Sequence, residues 1–188
     1  MSKGPTSDEE LRASRVDGSL PPTEPVVLVE YDPAWPRLYE REEARIRGAL
    51  GEAALQIEHA GSTSIPGLAA KPIVDIVLVV PDSADEPAYV PALEATGYVL
   101  RIRESDWYEH RALKGTEPRV NLHVFSPGCP EVERMLLFRD HLRRDARDRD
   151  LYERTKRELA QRDWKYVQHY ADAKSDVVAE ILERAGAA

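Results

Sequence analysis

The chain has 188 residues, of which 42% are hydrophobic and 32% are charged, and its formal net charge is −8. A chain of this length is expected to form one domain, or one domain with an appended subdomain. The acidic balance argues against a general nucleic-acid or anionic-membrane binder, because such proteins usually carry a basic surface. The single cysteine, Cys129, excludes an internal disulfide and a multi-cysteine zinc site.

No apolar run approaches the roughly 18 residues that a membrane-spanning helix needs. The N-terminal segment also lacks the apolar core of a secretory signal. We therefore expect a cytoplasmic protein without a membrane segment.

The first half of the chain alternates between extended and helical patterns. Residues 1–25 combine Gly, Ser, Pro and mixed charges, which predicts a disordered N-terminal tail. The β-branched run 26–29 predicts a strand, the apolar stripe along 36–50 a helix, and residues 53–59 a second strand. Seven of the eight residues in 73–80 are Ile, Val or Leu, which predicts a strand buried on both faces.

The second half continues the α/β pattern and then becomes helical. We predict a helix near 86–96, a strand at 98–102, two further strands near 107–114 and 120–125, and helices through 130–185. The predicted domain organisation is a tail, a mixed α/β domain and a helical subdomain packed on it, with the boundaries 1–25, 26–128 and 129–188.

Asp75 is the one polar residue of the predicted strand 73–80. A buried carboxylate needs a partner, because leaving it unpaired costs several kcal/mol. Asp75 therefore either caps a neighbouring loop or belongs to a functional site. The preceding turn, residues 61–67, is rich in Gly and Ser; such a backbone approaches ligands closely, and its N–H groups can cradle phosphate. A turn of this kind beside a strand carboxylate suits a metal–triphosphate site, and an ordinary strand-to-helix turn has the same composition.

Several segments of the chain resemble the GrpB family. The longest, residues 57–76, reads Ile-Glu-His-Ala-Gly-Ser-Thr-Ser-Ile-Pro-Gly-Leu-Ala-Ala-Lys-Pro-Ile-Val-Asp-Ile. The other similar segments are 31–36, 121–125, 138–143 and, more weakly, 171–174. The GrpB family is placed in the nucleotidyltransferase superfamily that includes DNA polymerase β, and related domains are fused to dephospho-CoA kinases.

This resemblance implies a fold, an activity and cofactors. The implied fold is a minimal nucleotidyltransferase-like mixed β-sheet with flanking helices and a C-terminal helical extension. The implied activity is metal-dependent transfer of a nucleotidyl group from a nucleoside triphosphate to a small-molecule acceptor. Mg²⁺ or Mn²⁺ would be the cofactor.

The superfamily pattern is a Gly-Ser turn, then Asp-x-Asp or Asp-x-Glu, then a third carboxylate on a later strand. Asp75 matches the first carboxylate, and Val77 stands at the position of the second. Asn121 and His123 occupy the later strand. By resemblance, Asp75 would hold the metal, and His123 would either complete the metal shell or accept the acceptor's proton. His110 is a further candidate for a carboxylate–imidazole site.

The predicted phosphate-binding set joins the Gly-Ser turn to two basic residues that follow His110. Its members are Gly61, Ser62, Thr63, Ser64, Arg111 and Lys114. The secondary site candidates are His59, His110, Asn121 and Arg139. Ordinary surface charge is the alternative explanation for Arg111 and Lys114, and the mixed-charge helix 143–162 is predicted to be a solvated face.

Two further functions stay open beside the transferase. Val77 favours a degenerate protein that binds a nucleotide or a CoA-like ligand without turnover, because two-metal catalysis needs carboxylates on both ions. Another group transfer or ligation could also use the same pocket.

Overall fold

The chain folds around a five-stranded sheet, and the computed structural model describes residues 5–186. The strands are β1 (Gln56–Ala60), β2 (Val74–Val79), β3 (Val99–Glu104), β4 (His110–Gly115) and β5 (Val120–Phe125). The helices in the described range are α1 (Asp8–Ala13), α2 (Trp35–Leu50), α3 (Val90–Glu94), α4 (Pro130–Arg144), α5 (Ala146–Ala160), α6 (Val167–Asp172) and α7 (Ser175–Ala185).

The strand order of the sheet is β1-β2-β5-β4-β3. Strands β2 and β5 are parallel, and the other neighbouring pairs are antiparallel. A mixed sheet with flanking helices and a helical C-terminal extension is the predicted fold class, which is thereby confirmed. The register places Asp75 opposite Ala60 on one side and Asn121 on the other.

Strand β2 is apolar because helices cover both of its faces. On one face, Ile76 and Leu78 pack with Leu93 of α3 in the larger core. On the other face, Val77 packs with Val132 of α4 and is fully buried. Asp75 shares this second face, since side chains alternate along a strand. Val77, which stands at the second carboxylate position of the pattern that the sequence resembles, is thus a core side chain.

An ion-pair junction joins three of the C-terminal helices. Nε2 of His141 on α4 lies 2.7 Å from Oδ2 of Asp148 on α5. Arg184 of α7 donates to both oxygens of the same carboxylate at 2.7–3.0 Å. Beneath this junction, Ile65 and Leu68 pack with Ile181 of α7. The helices are therefore fastened to the segment that follows the Gly-Ser turn.

The N-terminal segment corrects the prediction of a disordered tail over 1–25, of which residues 1–4 lie outside the described residues. Ser7 and Glu10 form a capping box that starts α1. The chain then runs along the outer edge of β3, where Val16 donates its N–H to Arg101 at 3.1 Å. A sheet edge offers unpaired backbone groups, and a polar segment can satisfy them without a hydrophobic pattern.

Three element boundaries also differ from the predictions. Of residues 26–29, only Val29 pairs with another chain segment, through an isolated bridge to Ala70. Strand β4 begins at His110, because Tyr108 and Glu109 turn the chain with φ values of 55° and 49°. The helix predicted near 86–96 is divided into the 3₁₀ turn Glu86–Ala88 and α3.

Within residues 5–186, every helix is too short or too polar to cross a bilayer.

Candidate functional site

Asp75 lies at the beginning of β2, directly against the Gly-Ser turn. Gly61 has φ +64°, and a Cβ atom added there would lie 2.9 Å from both Cβ and Cγ of Asp75. Only glycine allows this backbone to pass so close to the carboxylate. The turn and the strand carboxylate, which are separated in sequence, are therefore one structural unit.

A row of polar side chains crosses three strands beside Asp75. Nδ2 of Asn121 donates to Oδ1 of Asp75 at 2.6 Å, and Nζ of Lys114 donates to Oδ1 of Asn121. Burial raises the pKa of Asp75. His123 and the hydrogen bond from Asn121 lower this pKa by more than burial raises it, so the pKa lies below its ordinary value. Asp75 is thus an ionised carboxylate at neutral pH.

His123 lies on the same face of the sheet, with Nε2 3.9 Å from Oδ1 of Asp75. Its Nδ1 is 3.1 Å from Nε2 of His110, and Nδ1 of His110 is 2.7 Å from a carboxylate oxygen of Glu104. Burial lowers the pKa of His110, so this ring is neutral at pH 7. With Glu104 accepting from His110, the chain of hydrogen bonds makes Nδ1 of His123 a donor. Nε2 of His123 is the ring nitrogen that faces Asp75.

Asp75 and His123 face a cleft of about 380 Å³ between the sheet and the C-terminal helices. Gly61, Asp75 and His123 line the sheet side of the cleft. Lys174 and Val178 line the helical side. The helical extension therefore supplies one wall of the candidate site, and with it a positive charge.

The hydroxyl groups of the Gly-Ser turn mostly hold the turn itself. Thr63 is 1% exposed and its Oγ1 lies 3.0 Å from Nε2 of His59, while Ser64 is 5% exposed and donates to the carbonyl of Gly61 at 2.6 Å. The hydroxyl groups of Thr63 and Ser64, both predicted to bind phosphate, are therefore engaged in holding the turn. Within that turn, Gly61 lines the cleft, and Ser62 accepts a hydrogen bond from the helical subdomain.

That hydrogen bond comes from Lys156, which is 2% exposed on α5. Its Nζ donates to Oγ of Ser62 at 3.1 Å and to the carbonyl of Ala69 at 2.5 Å. Burial, with a smaller contribution from Lys174, lowers the pKa of Lys156 to about 7. The prediction that 143–162 is a solvated face is therefore corrected at Lys156, where one long side chain turns inwards to the Gly-Ser turn.

Two more lysines approach the same region. Nζ of Lys71 lies 5.9 Å, and Nζ of Lys174 lies 4.6 Å, from the centre of the Tyr170 ring. Burial lowers the pKa of Lys71 to about 8, and the charge on Lys174 adds to that shift. The side of the site nearest the helices is therefore strongly basic, although the whole chain is acidic.

Arg111 must be removed from the predicted phosphate set. It alternates with His110 and Ala112 on β4, so its side chain points to the opposite face of the sheet. There it is 4% exposed and donates to Glu86 at 2.5 Å and to Glu109 at 3.1 Å. Lys114, by contrast, lies on the Asp75 face through its contact with Asn121.

His59 and Arg139 belong to a second cavity of about 650 Å³ beside β1. His59 stacks on Tyr39 with ring centroids 4.8 Å apart, and burial lowers its pKa to about 4. Nη1 of Arg139 donates to Glu58 at 2.8 Å and to the carbonyl of His59 at 3.0 Å. Both side chains thus stabilise the approach to the Gly-Ser turn, and within the described residues neither forms a hydrogen bond or an ion pair with Asp75.

Comparison with known proteins bears on this arrangement. The family model described as GrpB protein matches residues 25–184. The chain belongs to the GrpB family. A UPF0157 protein of Halalkalibacterium halodurans is 60% identical over 183 residues, which is 97% of this chain and 94% of that protein. A crystal structure of GrpB from Enterococcus faecalis superimposes with a TM-score of 0.75 at 31% identity, covering 85% of this chain and 96% of that one.

A third relative is a longer protein. A dephospho-CoA kinase of Mycolicibacterium paratuberculosis is 30% identical over 188 aligned positions, which cover 86% of this chain and 46% of that protein. A GrpB-like region can therefore occur as about half of a larger chain.

The donor atoms of this GrpB protein fit a metal ion that arrives with a phosphate ligand. Asp75 offers a carboxylate and His123 offers Nε2, and Mg²⁺ is commonly held by one or two carboxylates together with substrate phosphates. Among residues 5–186, a three-ligand group occurs elsewhere, at His141, Asp145 and Asp148. Arg184 already occupies the carboxylate of that group, so it is a structural junction.

Sequence reasoning missed one residue that lines the cleft, Lys174, and four that lie beside the site: Lys71, Lys156, Tyr170 and Glu104. Lys71 lies inside the segment 57–76 that resembles the GrpB family, so the family resemblance could have indicated this residue. Lys156 and Tyr170 lie on helices whose local pattern does not indicate which face meets the sheet. Glu104 reaches His110 only because β3 and β4 are paired.

Proposed function

We propose that this GrpB protein is a metal-dependent nucleotidyltransferase that moves a nucleotidyl group from a nucleoside triphosphate to a small-molecule acceptor. The observation that carries the proposal is the Asp75 carboxylate, held against the Gly61 turn and facing a cleft whose far wall carries Lys174. A carboxylate, a closely approaching backbone and basic side chains are the components that phosphoryl-type transfer requires.

The residues have separate tasks in this reaction. Asp75 would hold the metal ion, and the ion would polarise the phosphate oxygens of the donor when bound. Nε2 of His123 is either the second ligand or the group that accepts the proton of the attacking acceptor, and both roles use the same lone pair. The acceptor oxygen forms a bond to the α-phosphorus as the bond to the bridging oxygen breaks, and pyrophosphate leaves. Asn121 fixes the rotamer of Asp75 throughout.

Ligand-induced thermal stabilisation tests the proposal most directly. ATP, GTP, CTP, UTP and CoA are each added with Mg²⁺, Mn²⁺ or a chelator to the wild type and to Asp75→Asn. A ligand at about 100 times its Kd stabilises by about 2.7 kcal/mol, which raises Tm by several degrees at this size. We expect a metal-dependent shift with one nucleotide that Asp75→Asn abolishes. Asp163→Asn, the same change at an exposed position, should retain it.

Turnover separates the transferase from the second candidate function. The nucleotide that binds is incubated with hydroxyl, amine and phosphate acceptors, and pyrophosphate release is measured. Release that is lost in Asp75→Asn supports the transferase. A flat nucleotide panel overturns the triphosphate site altogether.

The second candidate is a GrpB protein that binds a nucleotide or a CoA-like ligand without turnover. Its supporting observation is Val77, which is fully buried among apolar side chains where a second carboxylate would stand. The GrpB-like region in the dephospho-CoA kinase is the reason that CoA is included in the panel. Tight binding with no pyrophosphate release from any acceptor would favour this candidate.

A further inference from the structure

The cavity of about 650 Å³ beside β1 is separate from the Asp75 cleft, because the two linings share no residue. Side chains of α2 and β1 line one part of this cavity, and side chains of α4 and α5 line another. Small-molecule sites have volumes of roughly 300–1,000 Å³. The proposed transferase reaction uses none of the residues in this lining, so the cavity is open to a ligand of its own.

The outer edge of β1 is already closed at this cavity. The carbonyl of Ile57 accepts a hydrogen bond from the hydroxyl of Tyr39 at 3.1 Å, and the carbonyl of His59 accepts one from Nη1 of Arg139 at 3.0 Å. A peptide that extends a sheet needs such backbone groups for its own hydrogen bonds. The cavity therefore suits a compact small molecule better than an added strand.

The lining carries charges of both signs in equal number. Its charged members are Arg139, Arg143, Arg149, Glu40, Glu43 and Glu58. Glu43 pairs with Arg47 at 2.9 Å, and Glu58 pairs with Arg139 at 2.8 Å. A ligand with a single charge would be repelled by part of this lining, whereas a ligand with one charge of each sign finds a partner for both.

Arg149 and Glu40 are the two charged groups of the lining that have no opposite charge of their own. Nη1 of Arg149 donates to the carbonyl of Leu142 at 3.2 Å, and within residues 5–186 this guanidinium forms no ion pair. The Glu40 carboxylate forms neither a hydrogen bond nor an ion pair with any residue that the structure describes. Arg149 and Glu40 do not neutralise each other, so each can pair with one end of a ligand.

Aromatic rings supply flat apolar surface between these charges. Tyr39 and His59 are stacked, with ring centroids 4.8 Å apart and an angle of 8° between the ring planes. Tyr31 is fixed edge-on against Trp35 at 5.3 Å. Rings that are held in place before a ligand binds favour an aromatic or large apolar group as the body of that ligand.

We propose that this cavity binds a small zwitterion, a free α-amino acid with an aromatic or large apolar side chain. The carboxylate of the ligand pairs with Arg149 and its ammonium pairs with Glu40, while its side chain lies against Tyr31 and Tyr39. A guanidinium group matches a carboxylate with two parallel hydrogen bonds. Ser64 also lines the cavity, so the ligand lies on the outer side of the Gly-Ser turn.

Calorimetry with the full chain tests the site in the absence of metal and nucleotide. Each standard L-amino acid is titrated. The amino acid that binds most tightly is then compared with its amine, which lacks the carboxylate, and with its acid, which lacks the ammonium. We expect aromatic and large apolar amino acids to bind about tenfold or more tightly than glycine. Each truncated analogue should bind about tenfold or more weakly than the amino acid.

Two charge-removing variants assign the two ends of the ligand. Arg149→Gln should weaken binding of the amino acid and of the acid but not of the amine. Glu40→Gln should weaken binding of the amino acid and of the amine but not of the acid. Arg147→Gln and Glu52→Gln, the same changes at exposed positions outside the lining, should leave all three affinities unchanged.

Three results would overturn the proposal: no amino acid binds, both truncated analogues bind as tightly as the amino acid, or Arg149→Gln and Glu40→Gln behave like their controls. Because these titrations contain no nucleotide, amino-acid binding can fail while nucleotide binding at the Asp75 cleft succeeds, and the reverse. The fate of this site is therefore independent of the fate of the proposed transferase.

Discussion

Nε2 of His110 lies 3.1 Å from Nδ1 of His123, and the two rings are nearly parallel (18°) with centroids 5.3 Å apart. Because Nδ1 of His110 donates to Glu104 and this ring is neutral, its Nε2 is the acceptor and Nδ1 of His123 is the donor. A group that hydrogen-bonds to one ring nitrogen of a functional histidine fixes the tautomer and the orientation of that histidine. His110 therefore acts through His123 and is a positioning residue.

This arrangement predicts the tautomer of His123. Nitrogen-15 chemical shifts of the histidine rings should show His123 protonated at Nδ1 at neutral pH. His110→Phe removes the acceptor and keeps an aromatic ring beside Phe125, so His123 should lose that fixed tautomer. Metal affinity or activity should fall roughly 10–100-fold. His169, whose Nε2 lies 3.0 Å from the carbonyl of Thr6, is the internal control. An unchanged pattern for His123 in the variant would contradict the prediction.

Gly61→Ala should damage the site and the fold together. The added Cβ would lie 2.9 Å from Cβ and Cγ of Asp75 and closer still to Oδ2, and the backbone of Gly61 (φ 64°, ψ −173°) is one that non-glycine residues avoid. Backbone strain of this kind costs about 1–3 kcal/mol, which denaturant unfolding would measure.

Gly67→Ala is the matched control for Gly61→Ala. Gly67 has φ +78° and open space around the added Cβ, so it carries backbone strain without the clash. We expect Gly67→Ala to be less destabilising and to leave ligand binding intact. Equal effects of the two variants on binding would show that the approach to Asp75 is unimportant.

Arg111→Leu should lower stability and leave nucleotide binding unchanged. The substitution removes a buried guanidinium that is bonded to Glu86, while Arg103 continues to pair with that carboxylate. Hydrogen bonds to charged groups contribute about 1.5–3 kcal/mol each, so we expect a loss of this order in unfolding free energy. Weaker nucleotide binding at a temperature where the variant is folded would return Arg111 to the phosphate set.

The His141–Asp148–Arg184 junction predicts a loss of stability in acid. The hydrogen bonds from Arg184, and then that from His141, lower the pKa of Asp148 below its ordinary value. A carboxylate whose folded-state pKa is depressed stabilises the fold above its unfolded pKa, about 3.9, and this contribution disappears as pH falls through the folded-state pKa.

A comparison of Tm for the wild type and Asp148→Asn tests the predicted direction of this pH dependence. The wild type should melt several degrees higher at pH 7, and the difference should shrink below about pH 4. Asp163→Asn, at an exposed position, should follow the wild type throughout. A difference that is constant down to the lowest pH would show that the junction does not depend on the charge of Asp148.

The sequence by itself determined the centre of the site. An Asp within an apolar strand and a Gly-Ser turn before it are local features, and the closeness of Gly61 to Asp75 follows from the short connection between them. The mixed sheet was predictable for the same reason, because the alternation and length of apolar runs are encoded residue by residue. The resemblance to GrpB proteins added Asn121 and His123, which the parallel pairing of β2 and β5 places beside Asp75.

Only the tertiary structure decided which basic residues belong to the site. Arg111 and Lys114 are three positions apart, and a strand sends such residues to opposite faces, so one of the two had to leave the cleft once the register was fixed. Lys174 lines the cleft and Lys156 holds the Gly-Ser turn from behind; both lie in helical segments that are distant in sequence and whose charge pattern resembles that of a solvated surface. Their direction depends on how α5, α6 and α7 dock on the sheet. That docking is set by long-range packing around Ile65, Leu68 and Ile181, which no local pattern contains.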